Sequence, residues 1–451
     1  FFNYNSRNKV DHGIFVWYTR FSLINFVLLL LFILIIKLIG LKELLFPGQN
    51  YSLILLAFLF SYFQLKASDM AVGYGDSKSK TTIVQIIFTL VNSLSTIILF
   101  LLYYYEMLSI YTALFSQLCG SFIQIIILFK YYKDKGFIKN IIFGRNLFKK
   151  NNSLKYYNNY FIRYCGPLFL SSIFVLFYTF FDRWYLQTVS GSIEQGYLNL
   201  SIRFGDIVML FTSAIMPLFF RELSKKHEQN NLFSLKILYV QYSKLFFFIS
   251  AFLSLYMIFN INYIIKFFIG QEYIMATIPA SIYLLYPIQQ TIGQLNGTFL
   301  FSIEKTKSIR NILIFISCIG IPISYLLLSD KSILFFNGFS LGAKGVAIKM
   351  IVVQIISVSM QFWVIAKFLK IKKSLIYFHQ FSVLCLIFSI NYTLYFFKNI
   401  IETTILNEYH LIIFISFSLI YLIVGLVIIY LFPFLIGLNK EKLKNYISNY
   451  F

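Results

Sequence analysis

Apolar stretches of about twenty residues recur along the whole chain, and short polar segments separate them. A membrane's hydrocarbon core is about 30 Å thick and needs roughly 20 helical residues to cross it. A soluble fold cannot bury so many long apolar runs in a chain that is 59% hydrophobic and only 12% charged. The sequence therefore predicts an all-α, polytopic transmembrane protein.

The apolar pattern predicts twelve spans, and the two short ones, 51–65 and 245–259, are expected to extend into their flanks. The twelve are 21–39, 51–65, 82–104, 108–129, 167–186, 197–220, 245–259, 277–301, 312–328, 346–365, 375–397 and 411–432.

Basic residues alternate between the two sides of the predicted membrane. One set of alternate segments carries 30 Lys and Arg and the other carries seven. Cytoplasmic loops hold the excess of positive charge, so both ends of the chain are predicted in the cytoplasm. The net charge of +22 follows from this asymmetry and does not indicate a nucleic-acid partner. The longest inner segment, 130–163, is predicted to be a linker lying on anionic inner-leaflet lipids, or one held inside merely by its charge.

Motifs for catalysis, metals and nucleotides do not emerge from the sequence. The four cysteines lie in or beside predicted spans, where they behave as small apolar residues, and the four histidines are scattered. No phosphate-binding glycine loop of the GxxxxGK type occurs. We therefore predict no catalytic residue, no metal site and no cofactor. Because the chain opens on Phe1, it is expected to be truncated at its start.

Three segments carry a resemblance to a known family. Residues 180–225 contain an Asp-Arg pair, a Gly-containing turn, a Gly-Tyr helix start and a Pro-aromatic-Arg-Leu-Ser exit. Residues 338–348 (GFSLGAKGVAI) form a Gly-rich opening to a span, and the basic segment 66–80 precedes another. Together they resemble the polysaccharide flippases of the multidrug/oligosaccharidyl-lipid/polysaccharide superfamily, the O-antigen type in particular. The matched residues in 180–225 are Asp182, Arg183, Gly196, Tyr197, Pro217, Arg221 and Ser224.

The resemblance implies a fold of two pseudo-symmetric lobes that form a V-shaped cavity. Residues 1–150 would hold four of the six helices of the first lobe, with two N-terminal spans missing, and 151–372 the whole second lobe. Residues 373–451 would add a helix pair and a cytoplasmic tail. Of the four helices that line the cavity in the family, 167–186 and 197–220 are present here.

The resemblance also implies a function. Such a protein would translocate an undecaprenyl-diphosphate-linked oligosaccharide, an O-antigen or capsule repeat unit, across the bacterial inner membrane by alternating access. The polysaccharide polymerase machinery is a further candidate partner, and the protein would not be an enzyme. Two alternatives stay open: a multidrug or cation antiporter of the same superfamily, and a polytopic O-antigen polymerase or ligase. An antiporter would favour acidic residues in its cavity, and the enzymes usually carry a large outer loop.

Ionisable residues within spans are the candidate substrate-binding residues, because burying a charge in a membrane is costly. Arg203 and Asp206 share a helix face, and Arg203 is the candidate contact for a substrate diphosphate. The alternative is an ion pair that only joins helices. Asp182 and Arg183 lie near the outer end of their span, and Lys349 lies one turn inside another. Snorkelling to the interface is the alternative for Arg183 and Lys349.

Two glutamines complete the candidate site. Gln290 and Gln294 are four residues apart, so they lie on one face of the span 277–301. They are predicted to line a hydrated path, with hydrogen bonding between helices as the alternative.

Overall fold

The computed structural model describes residues 12–40, 50–77, 81–133, 151–330, 338–404 and 410–438. Within these ranges every regular element is helical. Nine helical segments in them have the length and composition to cross a membrane, with the run Cys165–Glu228 counted as one. The all-α, polytopic membrane class predicted from the sequence is confirmed. The opening residues 1–11 and the linker core 134–150 lie outside the described residues.

The chain divides into two compact units, Phe1–Ile162 and Arg163–Phe451. The first unit contains α1 (His12–Ile39), α2 (Tyr51–Ser77), α3 (Thr81–Tyr104) and α4 (Ile110–Lys133). Helix α4 packs against α2 and α3, and the amide of Gln124 donates to Asn92 at 2.9 Å. An apolar cavity of about 740 Å³ lies among these three helices. The V-shaped arrangement of lobes and the boundaries at 150 and 372 stay predictions.

Two long helices form the continuous helical run Asn151–Glu228, which belongs to the second unit from Arg163 onward. A single residue, Gly191, breaks the run with φ 85° and ψ −179°. Essentially only glycine adopts this conformation, because a Cβ would clash with the backbone. We label the two parts α5 (151–190) and α6 (192–228).

The other helices of the second unit are α7 (Leu232–Phe268), α8 (Thr277–Tyr283), α9 (Tyr286–Ser302), α10 (Thr306–Leu328), α11 (Gly342–Leu369), α12 (Lys373–Thr404) and α13 (His410–Leu431). Helix α7 contacts α8, α9 and α12. The C-terminal pair packs against it, since the Tyr421 hydroxyl of α13 donates to the Phe252 carbonyl of α7 at 2.7 Å. Helix α11 contacts α8, α9 and α10.

The predicted span 277–301 is not one helix. It breaks between Tyr283 and Tyr286, just before Pro287 in the first turn of α9. Proline has no N–H, and its ring clashes with the carbonyl four residues earlier, which belongs to Tyr283. The break therefore falls where proline chemistry requires it.

Two predicted loops are partly helical. Residues 66–77 continue α2, and 151–163 begin α5. No proline or glycine interrupts 151–163, so nothing in its sequence ends the helix once it leaves the membrane. Lys398, which the charge pattern places in an outer segment, lies within α12, where it is buried and donates to Asn260 at 3.1 Å.

Candidate functional site

Asp182 lies at the centre of a buried cluster that joins three helices of the second unit. Its carboxylate, on α5, forms an ion pair with Lys349 of α11, and it accepts a hydrogen bond from Ser324 of α10 at 2.6 Å. The Lys349 side chain is fully buried, so this lysine does not snorkel to the interface. Two opposite charges offset each other's desolvation when they are paired and hydrogen-bonded, which is the arrangement seen here.

An aromatic ring completes this cluster. The ammonium of Lys349 lies 3.5 Å from the centroid of the Tyr178 ring, a cation–π geometry that strengthens when the charge is desolvated. Tyr178 precedes Asp182 by one helical turn, so both face the same neighbours. The ring packs directly on Gly320 of α10, where an added Cβ would lie 2.1 Å from the Tyr178 ring. Glycine at position 320 therefore leaves room for the Tyr178 ring beside the Asp182–Lys349 ion pair.

We expect Gly320→Ala to lower the stability of the protein by about 1–3 kcal/mol, because the methyl group forces the Tyr178 ring away from Lys349. The melting temperature of the detergent-solubilised protein measures the effect. Gly196→Ala is the matched control, since a Cβ there meets no atom within 4 Å. Equal melting temperatures for the two variants would show that the Tyr178 ring is not held as described.

A polar stripe lies on the exposed face of α6. It consists of Asn199, Arg203 and Asp206, which we call the α6 stripe. Arg203 donates to Asp206 at 3.5 Å, and their side chains are 81% and 45% exposed. Arg183 of α5 joins the stripe by donating to Asn199. An exposed ion pair contributes only roughly 0–1 kcal/mol, so this pair does little to hold helices together.

A cavity of about 610 Å³ lies among α5, α6, α9, α10 and α11. Four glutamines line it, Gln290 and Gln294 from α9 and Gln354 and Gln361 from α11. Gln294 also accepts from Thr212 of α6 at 3.3 Å, so it both faces the cavity and bonds between helices. Hydroxyl groups supply most of the other polar lining, from Thr179, Ser213, Thr298, Ser317 and Ser357.

The Gly-rich segment 338–348 forms the entry to α11. The Glu194 carboxylate of α6 accepts from the Ala343 N–H at 2.7 Å, which suits a carboxylate because a helix N-terminus is electropositive. Gly342 has φ 55°, and an added Cβ would lie 2.7 Å from the Glu194 carboxylate. The glycine is thus required both by its left-handed conformation and by the close approach of α6.

The structure sorts the predicted site residues into three places within the second unit. Asp182 and Lys349 lie in the buried cluster, Arg203 and Asp206 in the α6 stripe with Arg183 beside it, and Gln290 and Gln294 in the cavity. Sequence reasoning missed Tyr178, Ser324, Gln354 and Gln361.

A sequence signal existed for some of these missed residues. Gln354, Ser357 and Gln361 repeat at helical spacing within a span that is otherwise largely apolar, so they share one face. Ser324 carries no such signal, since serine is common in spans.

No protein-family model matches the sequence, and neither does any curated protein sequence. Solved structures do match. The lipid II flippase MurJ, in an inward-closed conformation, superposes with a TM-score of 0.63 at 18% identity over 94% of this chain and 86% of that one. A transporter of the MOP (multidrug/oligosaccharidyl-lipid/polysaccharide) superfamily from Pyrococcus furiosus Vc1 gives 0.58 at 13% identity, covering 82% of both chains.

A third structure is a multidrug resistance MATE family transporter of the MOP superfamily in its outward-facing conformation. It gives a TM-score of 0.57 at 12% identity over 78% of both chains. The chain has the fold of these MOP transporters. At such low identity the likeness establishes architecture, and the chemistry of the site has to come from this chain's own residues.

Proposed function

We propose that this protein is a flippase that translocates a lipid-diphosphate-linked oligosaccharide, an O-antigen or capsule repeat unit, across the bacterial inner membrane. The observation that carries the proposal is the charge balance of the α6 stripe. Lys349 neutralises Asp182 in the buried cluster, and Glu194 of α6 is held at the N-terminus of α11, so the stripe and Arg183, which joins it, carry two arginines and one carboxylate, Asp206. Their sum is positive, which favours an anionic substrate.

The depth of Arg203 supports the same proposal. It lies six residues past Tyr197, about 9 Å along the helix at 1.5 Å per residue. A charge at such depth that faced lipid would be costly, and charged side chains within membranes almost always face the protein interior or a water-filled cavity. The guanidinium presents a planar fork of N–H donors that binds phosphate oxygens in pairs. Arg203 is therefore the proposed contact for the substrate diphosphate, and Asp206 orients it.

Transport would follow from alternating access of two lobes around this site. The sugar-diphosphate head passes through the polar interior while the polyprenyl tail stays in the bilayer. Arginines offset the desolvation of the diphosphate, which would otherwise oppose its crossing. The fold shared with a lipid II flippase supports a lipid-linked oligosaccharide as the class of substrate.

The multidrug or cation antiporter is less well supported by the site. A cation needs acids in excess of the bases around them, yet Asp182 is paired with Lys349, and Arg183 and Arg203 outnumber Asp206 at the α6 stripe. For a polymerase or ligase, the sequence offers only short outer segments between helices, without room for a catalytic loop.

Reconstitution tests the proposed function. We expect proteoliposomes of the purified protein to move a fluorescent undecaprenyl-diphosphate oligosaccharide to a leaflet that a membrane-impermeant quencher reaches. An organic cation such as tetraphenylphosphonium should not be transported. Cation transport without movement of the lipid would favour the antiporter.

The proposed orientation predicts the outcome of cysteine labelling in intact cells. With the four native cysteines replaced, Ser192→Cys should react with an impermeant thiol reagent applied from outside, and His227→Cys should react only after lysis. These positions are near opposite ends of α6, 35 residues or about 53 Å apart. The reverse labelling pattern would show that the topology is opposite to the proposed one, with both termini outside the cytoplasm.

The proposed partners follow from location and chemistry. Anionic inner-leaflet lipids would contact the basic segment 130–163, whose core 134–150 lies outside the described residues. The polysaccharide polymerase machinery would receive the product on the outer side.

A further inference from the structure

The cavity of the second unit differs in chemistry from the α6 stripe. None of its described lining residues is charged, and its polar groups are amides and hydroxyls. An ionised ligand entering such a site would lose its hydration without gaining a counter-charge, which is strongly unfavourable. The lining therefore selects an uncharged ligand.

Amides and hydroxyls share one property with sugars. A glutamine carries both donors and an acceptor, and a hydroxyl group donates one hydrogen bond and accepts others. Sugar hydroxyl groups also both donate and accept hydrogen bonds, so the amides and hydroxyls that line the cavity can pair with them. At about 610 Å³, the cavity also falls within the range of small-molecule sites, which is roughly 300–1,000 Å³.

Gly293 in the backbone of α9 lets two side-chain amides lie close together. At Gly293 an added Cβ would lie 2.4 Å from Nε2 of Gln354 and 3.5 Å from Oε1 of Gln290. The glycine thus lets the α11 amide approach the α9 amide. One turn further on, a Cβ at Gly297 would meet no atom within 4 Å, so this part of the wall is open.

Gln361 supplies an unpaired acceptor. Its Nε2 donates to Ser357 at 3.3 Å, but its buried Oε1 finds no hydrogen-bond partner among the described residues. A buried amide oxygen left without a partner costs free energy. Rotation of the Gln361 amide toward the cavity that it lines would let a ligand hydroxyl group remove this cost.

The helix break gives independent support. Tyr286, the first residue of α9, lines the cavity directly after the interruption before Pro287. Within a membrane, interrupted helices are tolerated where they border protein or a water-filled cavity. In transporters such interruptions mark substrate sites.

We propose that this cavity is the subsite for an uncharged sugar of the lipid-linked substrate, so that the protein discriminates against acidic sugars at that position. The inference rests on the proposed function and deepens it. Ser213 of α6 lines the cavity ten residues beyond Arg203, about 15 Å along the helix. The extended Arg203 side chain and a disaccharide together span such a distance, so a diphosphate held at Arg203 and the second sugar of the same ligand reach both places.

Three probes separate this subsite from the diphosphate contact. They are undecaprenyl diphosphate, the same lipid bearing a neutral hexose disaccharide, and the same lipid bearing a disaccharide that ends in a hexuronic acid. The purified protein in nanodiscs should bind the neutral disaccharide lipid at least about tenfold more tightly than the acidic one. Equal affinities for the two would overturn the proposal.

Variants of the cavity wall identify where the discrimination arises. Gln354→Leu and Gln361→Leu should each weaken binding of the neutral disaccharide lipid by about two- to tenfold, because one hydrogen bond is lost. Binding of undecaprenyl diphosphate should stay within about twofold. Gln229→Leu, in the turn after α6, is the control. Unchanged affinity for the disaccharide lipid in both wall variants would also overturn the proposal.

A filled cavity gives a second test that does not depend on the polar wall. Gly297→Leu places a side chain where the structure has open space, and it should weaken binding of the disaccharide lipid but not that of undecaprenyl diphosphate. If instead the unaltered protein binds none of the three lipids, the proposed function itself is wrong. If it binds undecaprenyl diphosphate as tightly as the neutral disaccharide lipid, only the sugar subsite is wrong.

Discussion

Replacing Lys349 with methionine should destabilise the protein by about 3–5 kcal/mol, because Asp182 would be left buried with an unpaired charge. The methionine side chain fills nearly the same volume as lysine, so packing changes little. Thermal unfolding of the detergent-solubilised protein, followed by loss of the monodisperse chromatographic peak, measures the change.

Two comparisons make this result specific to the ion pair. Lys344→Met removes an exposed lysine five residues earlier on α11 and should leave the melting temperature nearly unchanged. The double variant Lys349→Met/Asp182→Asn removes both charges and should recover most of the lost stability, since neutral partners cost less to bury. A double variant as unstable as the single one would show that Asp182 and Lys349 are not coupled.

Arg203→Ala should lower transport of the lipid-linked oligosaccharide by roughly 10- to 100-fold, the value of a lost hydrogen bond to a charged group. Stability should change by no more than about 0.5 kcal/mol, because the side chain is exposed. Arg203→Lys should retain part of the activity, since an ammonium attracts phosphate but lacks the paired N–H donors. The proteoliposome assay measures transport, and melting temperature measures stability.

The double variant Arg203→Ala/Asp206→Ala distinguishes substrate binding from a structural ion pair. If Arg203 matters only as the partner of Asp206, removing both charges restores transport; if Arg203 binds the diphosphate, transport stays low. Lys225→Ala, an exposed cation on the same helix beyond its apolar part, is the control and should transport normally. Wild-type transport by the double variant would exclude the proposed role of Arg203.

Local features of the site follow from the sequence, and long-range pairings do not. Arg203 and Asp206 lie on adjacent turns of one helix, so their contact is fixed by helix geometry alone. Lys349 is far from Asp182 in sequence, and a buried acid requires a counter-charge without specifying which one. Arg183, the immediate neighbour of Asp182, is excluded because adjacent helical residues point in different directions. Only the packing of α5 against α11 selects Lys349.

The difference between local and long-range features also explains which parts of the fold could be predicted. Apolar runs and charge asymmetry predict where the spans lie, since each depends on consecutive residues. Helix ends are harder to predict, as residues 66–77 and 151–163 show, because polar residues allow a helix to continue in water as readily as they allow a loop. The break before Pro287 is consistent with proline's missing N–H, but the apolar pattern across 277–301 conceals it.

Helices α5 and α6 form a hairpin whose connection is the single residue Gly191. The length of this connection therefore cannot change without moving one helix relative to the other. Arg183 and Asn199 lie equally far from Gly191 on either side and are hydrogen-bonded to each other. Each residue added to a helix rotates the remainder of that helix by about 100°. A single insertion beside Gly191 would therefore rotate Arg203 away from its present face, and a single deletion would rotate it the opposite way. The turn at Gln229–Asn231 joins α6 to α7 at the far end of α6, where a change of length leaves that face unmoved. Across relatives of this chain, the spacing between the buried acid and the exposed arginine should hold constant while the opposite turn varies in length.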